Sequence, residues 1–257
     1  MKSPLFCRVL GDSSHPPLVI LHGLLGTSDN WQTLGKQYAS HFYVYLIDQR
    51  NHGRSPHFDS HDYLDLASDL LNFLDDKGIE KAHVLGHSMG GKTALMFAHH
   101  HPERIGKLII ADMAARAYAP HHQHIFEALI TSPIQQATER ADIEKHLNSQ
   151  LGDSIMVNFL MKGLRRNSDH GFSWRPNVEA LQNALASVVD EVPISANTWP
   201  TLIIYGGQSN YINLSDLEKY EQAFMQLESH CIKEAGHWLH ASHPEEFYAV
   251  TFAFLEA

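Results

Sequence analysis

The chain is poor in cysteine, in runs of basic charge and in long apolar stretches, and each shortage removes a class of protein. Two cysteines, Cys7 and Cys231, stand far apart among 257 residues, too few for a disulfide framework. Neither sits among residues that would make it a nucleophile, so both read as reduced thiols in a cytoplasmic protein. The segment Met1–Leu10 has no basic stretch followed by an apolar run, the pattern of a secretory signal. No apolar segment approaches the roughly 18 residues needed to cross a bilayer, so no membrane span is expected. Lysine and arginine number 19 against 29 acidic residues, for a formal net charge of −10, and their longest run is Arg165-Arg166. Phosphate contacts need clustered basic side chains, so nucleic acid is not an expected partner.

Histidine, by contrast, is abundant, at 20 residues. His99-His100-His101 and His121-His122-Gln123-His124 invite a metal reading, but a metal site wants fixed ligand spacing and an ordered outer shell. The first run ends at Pro102, as a helix end would, and both runs read as solvated surface. No metal and no cofactor are expected.

With 44% hydrophobic and 19% charged residues, the composition is that of a globular protein, and the length suits one α/β domain. Short apolar runs recur at Leu18–Leu21, Phe42–Ile47, Ala82–Leu85, Leu108–Ala111 and Thr201–Tyr205, and His230–Lys233 reads as a last strand. Continuous runs of this kind suit strands buried on both faces of a parallel sheet. Between them lie helical patterns: Tyr63, Leu66, Leu70 and Phe73, then Leu217, Tyr220, Phe224 and Leu227. The alternation predicts an α/β fold with a mostly parallel, doubly wound sheet, whose active groups belong at the carboxyl ends of the strands. From about 114 to 192 the alternation stops. Helices are expected around Ile125–Thr131, Asp142–Leu151, Ser154–Arg165 and Asn177–Val189, with no strand among them. This stretch reads as a helical cap inserted over the strand ends of a single domain.

Gly86-His87-Ser88-Met89-Gly90 fits the G-x-S-x-G pattern, with a strand before it and a helix-forming run from Thr93 after it. A serine exposed on such a turn needs a strained backbone, and the glycines let neighbouring chain approach closely. Ser88 is therefore the expected nucleophile. His22-Gly23-Leu24-Leu25-Gly26 follows the first clear strand and matches the H-G loop that supplies one oxyanion N–H. The expected donors are Leu24, in preference to Leu25, and Met89. His22 reads as a residue that pins the loop. His237, in Ala235-Gly236-His237-Trp238, follows the last strand and can reach Ser88 as general base; His240 and His243 are local rivals.

Together with Asp48-Gln49-Arg50-Asn51-His52-Gly53-Arg54-Ser55, these motifs resemble the α/β-hydrolase superfamily over nearly the whole chain. More narrowly the chain resembles the bacterial YbfF-type esterases and their mitochondrial relatives, through that octapeptide, the Asp112 position, Phe172–Leu181 and Gly206–Ile212. The resemblance implies hydrolysis of carboxylic esters or thioesters, acyl-CoA-like substrates included, without a cofactor. A cofactor-free haloperoxidase, a lyase or a C–C bond hydrolase on the same fold remains an alternative, as does a non-catalytic ligand-binding member.

Most superfamily members place the triad acid at the position occupied here by Ser209. By elimination, Asp112 is the expected acid. It ends the strand that follows the nucleophile's helix, and a right-handed crossover lays that strand beside the one leading to Ser88. Asp216 reads instead as a charge at a helix start, and Asp48 as part of a turn that ties loops through Arg50. Ser209 is expected near the histidine or the acid in a four-membered arrangement, to which the YbfF likeness also points. Phe126, Phe159, Met161, Leu164 and Trp174 either line an acyl pocket or form the cap's own core.

Overall fold

The computed structural model describes residues 5–120, 122–168 and 171–257; His121 and residues 1–4 of the segment read for a leader lie outside them. In chain order the strands are β1 (Cys7–Leu10), β2 (Pro17–Leu21), β3 (Tyr43–Ile47), β4 (Ala82–His87), β5 (Ile105–Ala111), β6 (Leu164–Arg166), β7 (Phe172–Trp174), β8 (Thr201–Gly206) and β9 (Leu227–Ile232). Seven of them form one sheet in the order β1-β3-β2-β4-β5-β8-β9. Among the described residues only the β1–β3 pairing in this sheet is antiparallel. The chain runs outward from β2 to β3, then returns to place β4 on the other side of β2. That reversal opens a crevice at the carboxyl ends of β2 and β4, where ligands bind in sheets of this kind.

Side chains on a strand alternate between faces, and the core divides accordingly. Val19 and Leu21 of β2 face the helices Tyr63–Asp76 and Met89–His100, among Leu66, Leu70, Phe73 and Phe97. Leu18 and Ile20 face the opposite layer, built on Trp31, Leu34, Tyr38, Phe247 and Phe254. Both sets are almost wholly buried, which is why these strands read as unbroken apolar runs.

Between β5 and β8 the chain makes the helical cap, with a separate hydrophobic cluster that includes Ile125, Phe126, Leu129, Ile143, Leu147, Leu160 and Leu181. Its helices include Gln123–Ile130, Arg140–Leu151, Ser154–Met161, Val178–Asn183 and Leu185–Val189. The expectation of a cap without strands is corrected here. The helix expected to reach Arg165 ends at Met161, Gly163 N–H turns back to the Leu160 carbonyl, and β6 pairs antiparallel with β7. Phe172 and Trp174 alternate with Ser173 on this ribbon, a pattern of period two that is too short to stand out locally. Further corrections concern element ends. The helix Leu214–Ala223 stops before Phe224, and Leu227 opens β9. The segment 177–189 breaks into two helices at Ala184.

Where the chain enters and leaves the cap, one side chain joins both crossings to the helix Met89–His100. Lys92 is fully buried. Its ammonium donates to the carbonyls of Arg116 at 2.9 Å, Val189 at 3.3 Å and Asp190, and lies 4.8 Å from the centre of the Tyr118 ring. Burial pulls this lysine down to about 8. Among the described residues no helix is long and apolar enough to cross a membrane.

Candidate active site

Ser88 joins β4 to the helix Met89–His100 with φ 54° and ψ −122°, a backbone region that costs a side-chain-bearing residue about 1–3 kcal/mol. The turn is tight because its glycines are in contact. A Cβ on Gly86 would lie 2.1 Å from the Gly90 carbonyl oxygen, and one on Gly90 would lie 2.4 Å from that of Leu21. Ser88 N–H is fastened to Ala111 of β5 at 3.1 Å. The strain thus presents Oγ at the end of the sheet, beside the crevice.

His237 Nε2 lies 2.9 Å from Ser88 Oγ, and its Nδ1 lies 2.7 Å from Asp112 Oδ2. The tautomer that satisfies both contacts donates from Nδ1 to the carboxylate and accepts at Nε2 from the serine. Asp112 is fully buried and has φ 49°, a left-handed conformation that aspartate tolerates better than most residues. Gly206 N–H donates to its Oδ1 at 3.1 Å, and Ser209 donates to Oδ2 at 2.5 Å. Ser209 thus meets the acid rather than the imidazole. Asp216 lies elsewhere: it closes a capping box with Asn213 and pairs with Arg116 at 3.1 Å.

The loop after β2 is held from behind by the octapeptide that follows β3. His22 donates from Nδ1 to the Gly23 carbonyl at 2.8 Å and accepts Gln49 N–H at Nε2 at 3.0 Å. The Gln49 side-chain amide donates to the His22 carbonyl at 2.7 Å, and Leu25 N–H donates to His52 Nε2 at 3.0 Å. Leu25 N–H is therefore committed to the scaffold. Leu24, Ser88 and Met89 together line a small recess. Met89 opens the helix, so its N–H has no partner within the helix. Asp48 anchors the same assembly through Ser28 N–H at 2.6 Å and Arg54 N–H at 2.9 Å. Arg50 ties this turn to the following loop through Ser60 Oγ at 3.1 Å and to the helix Tyr63–Asp76 through Asp69 at 2.6 Å and Asp65 at 2.5 Å, while Asp48, Gln49 and His52 hold the loop after β2. The contacts of Gln49 and His52 with the loop after β2 span 27 residues, so the motif alone does not show what it holds.

A cavity of about 210 Å³ opens over Ser88 between the core and the cap. The cap contributes His122, His124, Ile125, Met156 and Phe159; the core contributes Leu24, Trp31, His87, Tyr211, Trp238 and others. Among the described residues no Asp, Glu, Lys or Arg lines it. Of the aromatics considered for a pocket, Phe159 is in its wall. Phe126 is instead fully buried in the cap cluster, and Trp174 is fixed by its indole N–H to the Leu129 carbonyl at 3.1 Å. Met161 and Leu164 also belong to the cap core. Pocket-facing residues that the sequence left unmarked are Tyr211, stacked on His237, and His87, whose Nε2–H donates to the His237 carbonyl at 2.8 Å.

Around this site lie histidines that the fold keeps neutral. His240 is stacked on Trp31 at 4.2 Å. Burial holds His61 down to about 4 and His240 down to about 3, and it also lowers His22, His52 and His87. Below about pH 6.5 the unfolded chain takes up protons at these rings while the folded chain does not, so stability falls with pH. For His61 and His240 together the expected loss at about pH 5.5 is about 3 kcal/mol, a large share of the 5–15 kcal/mol typical of a domain. It should grow until the folded values near 4 and 3 are reached. Urea midpoints should fall steeply from neutral pH to about pH 5, and His240→Phe should make the decline shallower. A midpoint constant over that interval would refute the account. Among the described residues no group of three or more His, Cys, Asp or Glu is placed to hold a metal ion.

The sequence profile described as the alpha/beta hydrolase fold matches residues 16–244. Esterase YbfF of Escherichia coli is 32% identical over 233 residues, covering 90% of this chain and 90% of its own. The sn-1-specific diacylglycerol lipase ABHD11 of Mus musculus is 32% identical over 267 residues, covering 98% of this chain and 85% of its own. Among solved structures, a marine microorganism esterase superimposes with a TM-score of 0.94 at 37% identity, over 97% of this chain and 98% of its own.

Proposed function

Because the chain belongs to the α/β-hydrolase family, we propose that it is a serine esterase that cleaves carboxylic esters through an acyl-enzyme on Ser88. The observation that carries the reading is the relay Ser88–His237–Asp112, with contacts of 2.9 and 2.7 Å, at the floor of a cavity that no Asp, Glu, Lys or Arg lines among the described residues. Ser88 passes its proton to His237 Nε2 as Oγ attacks the acyl carbon. The carbonyl oxygen, now an oxyanion, faces the N–H groups of Leu24 and Met89; donors of this kind typically contribute 10²–10³ each in rate. The imidazolium, steadied by Asp112, returns the proton to the departing alkoxide. Water then repeats the sequence on the acyl-enzyme and releases the acid. Thioesters react by the same steps with a thiolate leaving group. The apolar lining from Leu24, Trp31, Ile125, Met156 and Phe159 suits an uncharged acyl group, and any phosphate-bearing part of an acyl-CoA-like substrate would lie outside it.

Two measurements test this. The protein should turn over p-nitrophenyl acetate, and a fluorophosphonate should label it once, on Ser88. Labelling elsewhere, or none together with no ester turnover, rejects the proposal. Ser209 donates to a carboxylate already held by Gly206 N–H and His237, and a neutral hydroxyl adds no charge. Ser209→Ala should therefore lower kcat by about tenfold or less, the value of one hydrogen bond; a loss as deep as that of Asp112→Asn would contradict this supporting role.

A further inference from the structure

The two edges of the His237 ring are used by Ser88 and Asp112, and those contacts leave the ring free to tilt about the line joining them. One face of the ring is covered. The Tyr211 ring lies on it nearly parallel, with centroids 3.7 Å apart and an interplanar angle of 13°. Tyr211 is itself anchored on both sides of its peptide unit: its N–H donates to Ser209 Oγ at 3.2 Å, and its carbonyl accepts the Tyr118 hydroxyl at 2.7 Å. Tyr118 lies in the chain entering the cap, and its N–H bonds to the Val189 carbonyl in the chain leaving it, at 2.8 Å. The platform under the imidazole is thus built from the same turn that carries Ser209 and is braced by the cap.

We propose that Tyr211 is a positioning residue for His237: its π face holds the imidazole in the plane of the relay and stabilises the imidazolium formed when Ser88 gives up its proton. The proposal rests on the serine-esterase reading above. A cation within about 6 Å of an aromatic centroid is attracted to the ring face, and the attraction appears only once the imidazole is charged, so it favours the transition state over the resting enzyme. Among the described residues, the other titratable groups facing His237 are Asp112 at Nδ1 and the rings of His87 at 4.8 Å and, beyond it, His240. Burial keeps both of those histidines uncharged. Burial, with the charge of Asp112, also pushes the Tyr211 hydroxyl up to about 12, so the platform is a neutral phenol throughout the working range.

The test is the pH profile of kcat/KM for p-nitrophenyl acetate in a series at position 211. Tyr211→Phe keeps the ring face and should stay within about twofold of wild type, with the acidic limb, which the base sets, unmoved. Tyr211→Leu removes the face. The apparent pKa of the base should then fall by about half a unit to one unit, and the plateau should fall about three- to tenfold, with the loss in kcat. Pentafluorophenylalanine at 211 preserves shape but withdraws charge from the face; it should shift the limb in the same direction as leucine, and it covers the case in which the leucine variant folds poorly. The proposal is overturned if the limb stays in place in both, if Tyr211→Phe shifts it as far as leucine, or if only KM changes, which would make Tyr211 a cavity wall. Fluorophosphonate labelling separates the two readings. A wild type labelled on Ser88 whose limb is insensitive to position 211 defeats the Tyr211 role alone, whereas a wild type without that label defeats the esterase reading beneath it.

Discussion

Ser88→Ala is expected to leave the fold and its thermal midpoint nearly unchanged while lowering ester hydrolysis by about 10⁴–10⁶. The first half follows from the backbone. Alanine has the same Cβ as serine, so the strain at φ 54° and the glycine contacts around it are unaltered, and the one side-chain hydrogen bond lost is that to His237. The second half follows from chemistry. Without Oγ no acyl-enzyme forms, and His237 is left to activate water in a site shaped for attack from a different atom. The activity that remains would come from the donors of Leu24 and Met89 and from binding. Steady-state rates with p-nitrophenyl acetate, alongside a melting curve, decide the matter. A variant that kept more than about a tenth of the wild-type rate would exclude Ser88 as the nucleophile, given the size of the loss expected when a nucleophile is removed.

Asp112→Asn should lower kcat by up to about 10⁴ at neutral pH. Asparagine can still accept Gly206 N–H at the position of Oδ1, so the turn at the end of β5 keeps its anchor. At the other position an amide NH₂ replaces the oxygen that receives His237 Nδ1–H at 2.7 Å. The ring then holds its proton on Nε2, where it faces Ser88 and can no longer accept one. The informative partner is Asp216→Asn, which removes a contact 3.1 Å from Arg116 and leaves the relay alone; it should keep most of its activity. If Asp216→Asn is crippled and Asp112→Asn is nearly normal, Asp112 is not the acid.

Much of this was legible in the sequence because the physics there is local. A strand buried on both faces must be apolar throughout, so Leu18–Leu21 and Leu108–Ala111 declare themselves, and their ends mark where His22 and Asp112 lie. The turn at Ser88 tolerates only hydrogen where Gly86 and Gly90 touch neighbouring carbonyls, and that demand is written as a motif. Features that depend on distant partners were not legible. β1 is a short, half-buried edge strand whose pairing with β3 no pattern within Cys7–Leu10 announces. The edge strand β9 is largely exposed at Glu228 and Ser229, so its beginning lacks the apolar signature of the inner strands. Tyr211 and His52 look like ordinary loop residues until the chain brings His237 and Leu25 to them. Phe126 and Trp174 had the composition of a pocket wall, but aromatic residues fill cores and pockets alike, and only their packing separates the two.

The grip of Lys92 on the two crossings of the cap has a consequence for what this architecture can become. The carbonyls of Arg116, Val189 and Asp190 meet at one ammonium, so the long excursion between them starts and finishes at the same spot, as a purse does at its drawstring. Once its ends are tied, the contents of such a loop can lengthen, shorten or be exchanged at little cost, since each doubling of a flexible loop adds only about 0.6 kcal/mol. The turn bearing Ser88 lies one helical turn from the knot, on the core side of it. Tied in this way, the ceiling of the cavity can change its length with less cost to the fold than its floor can.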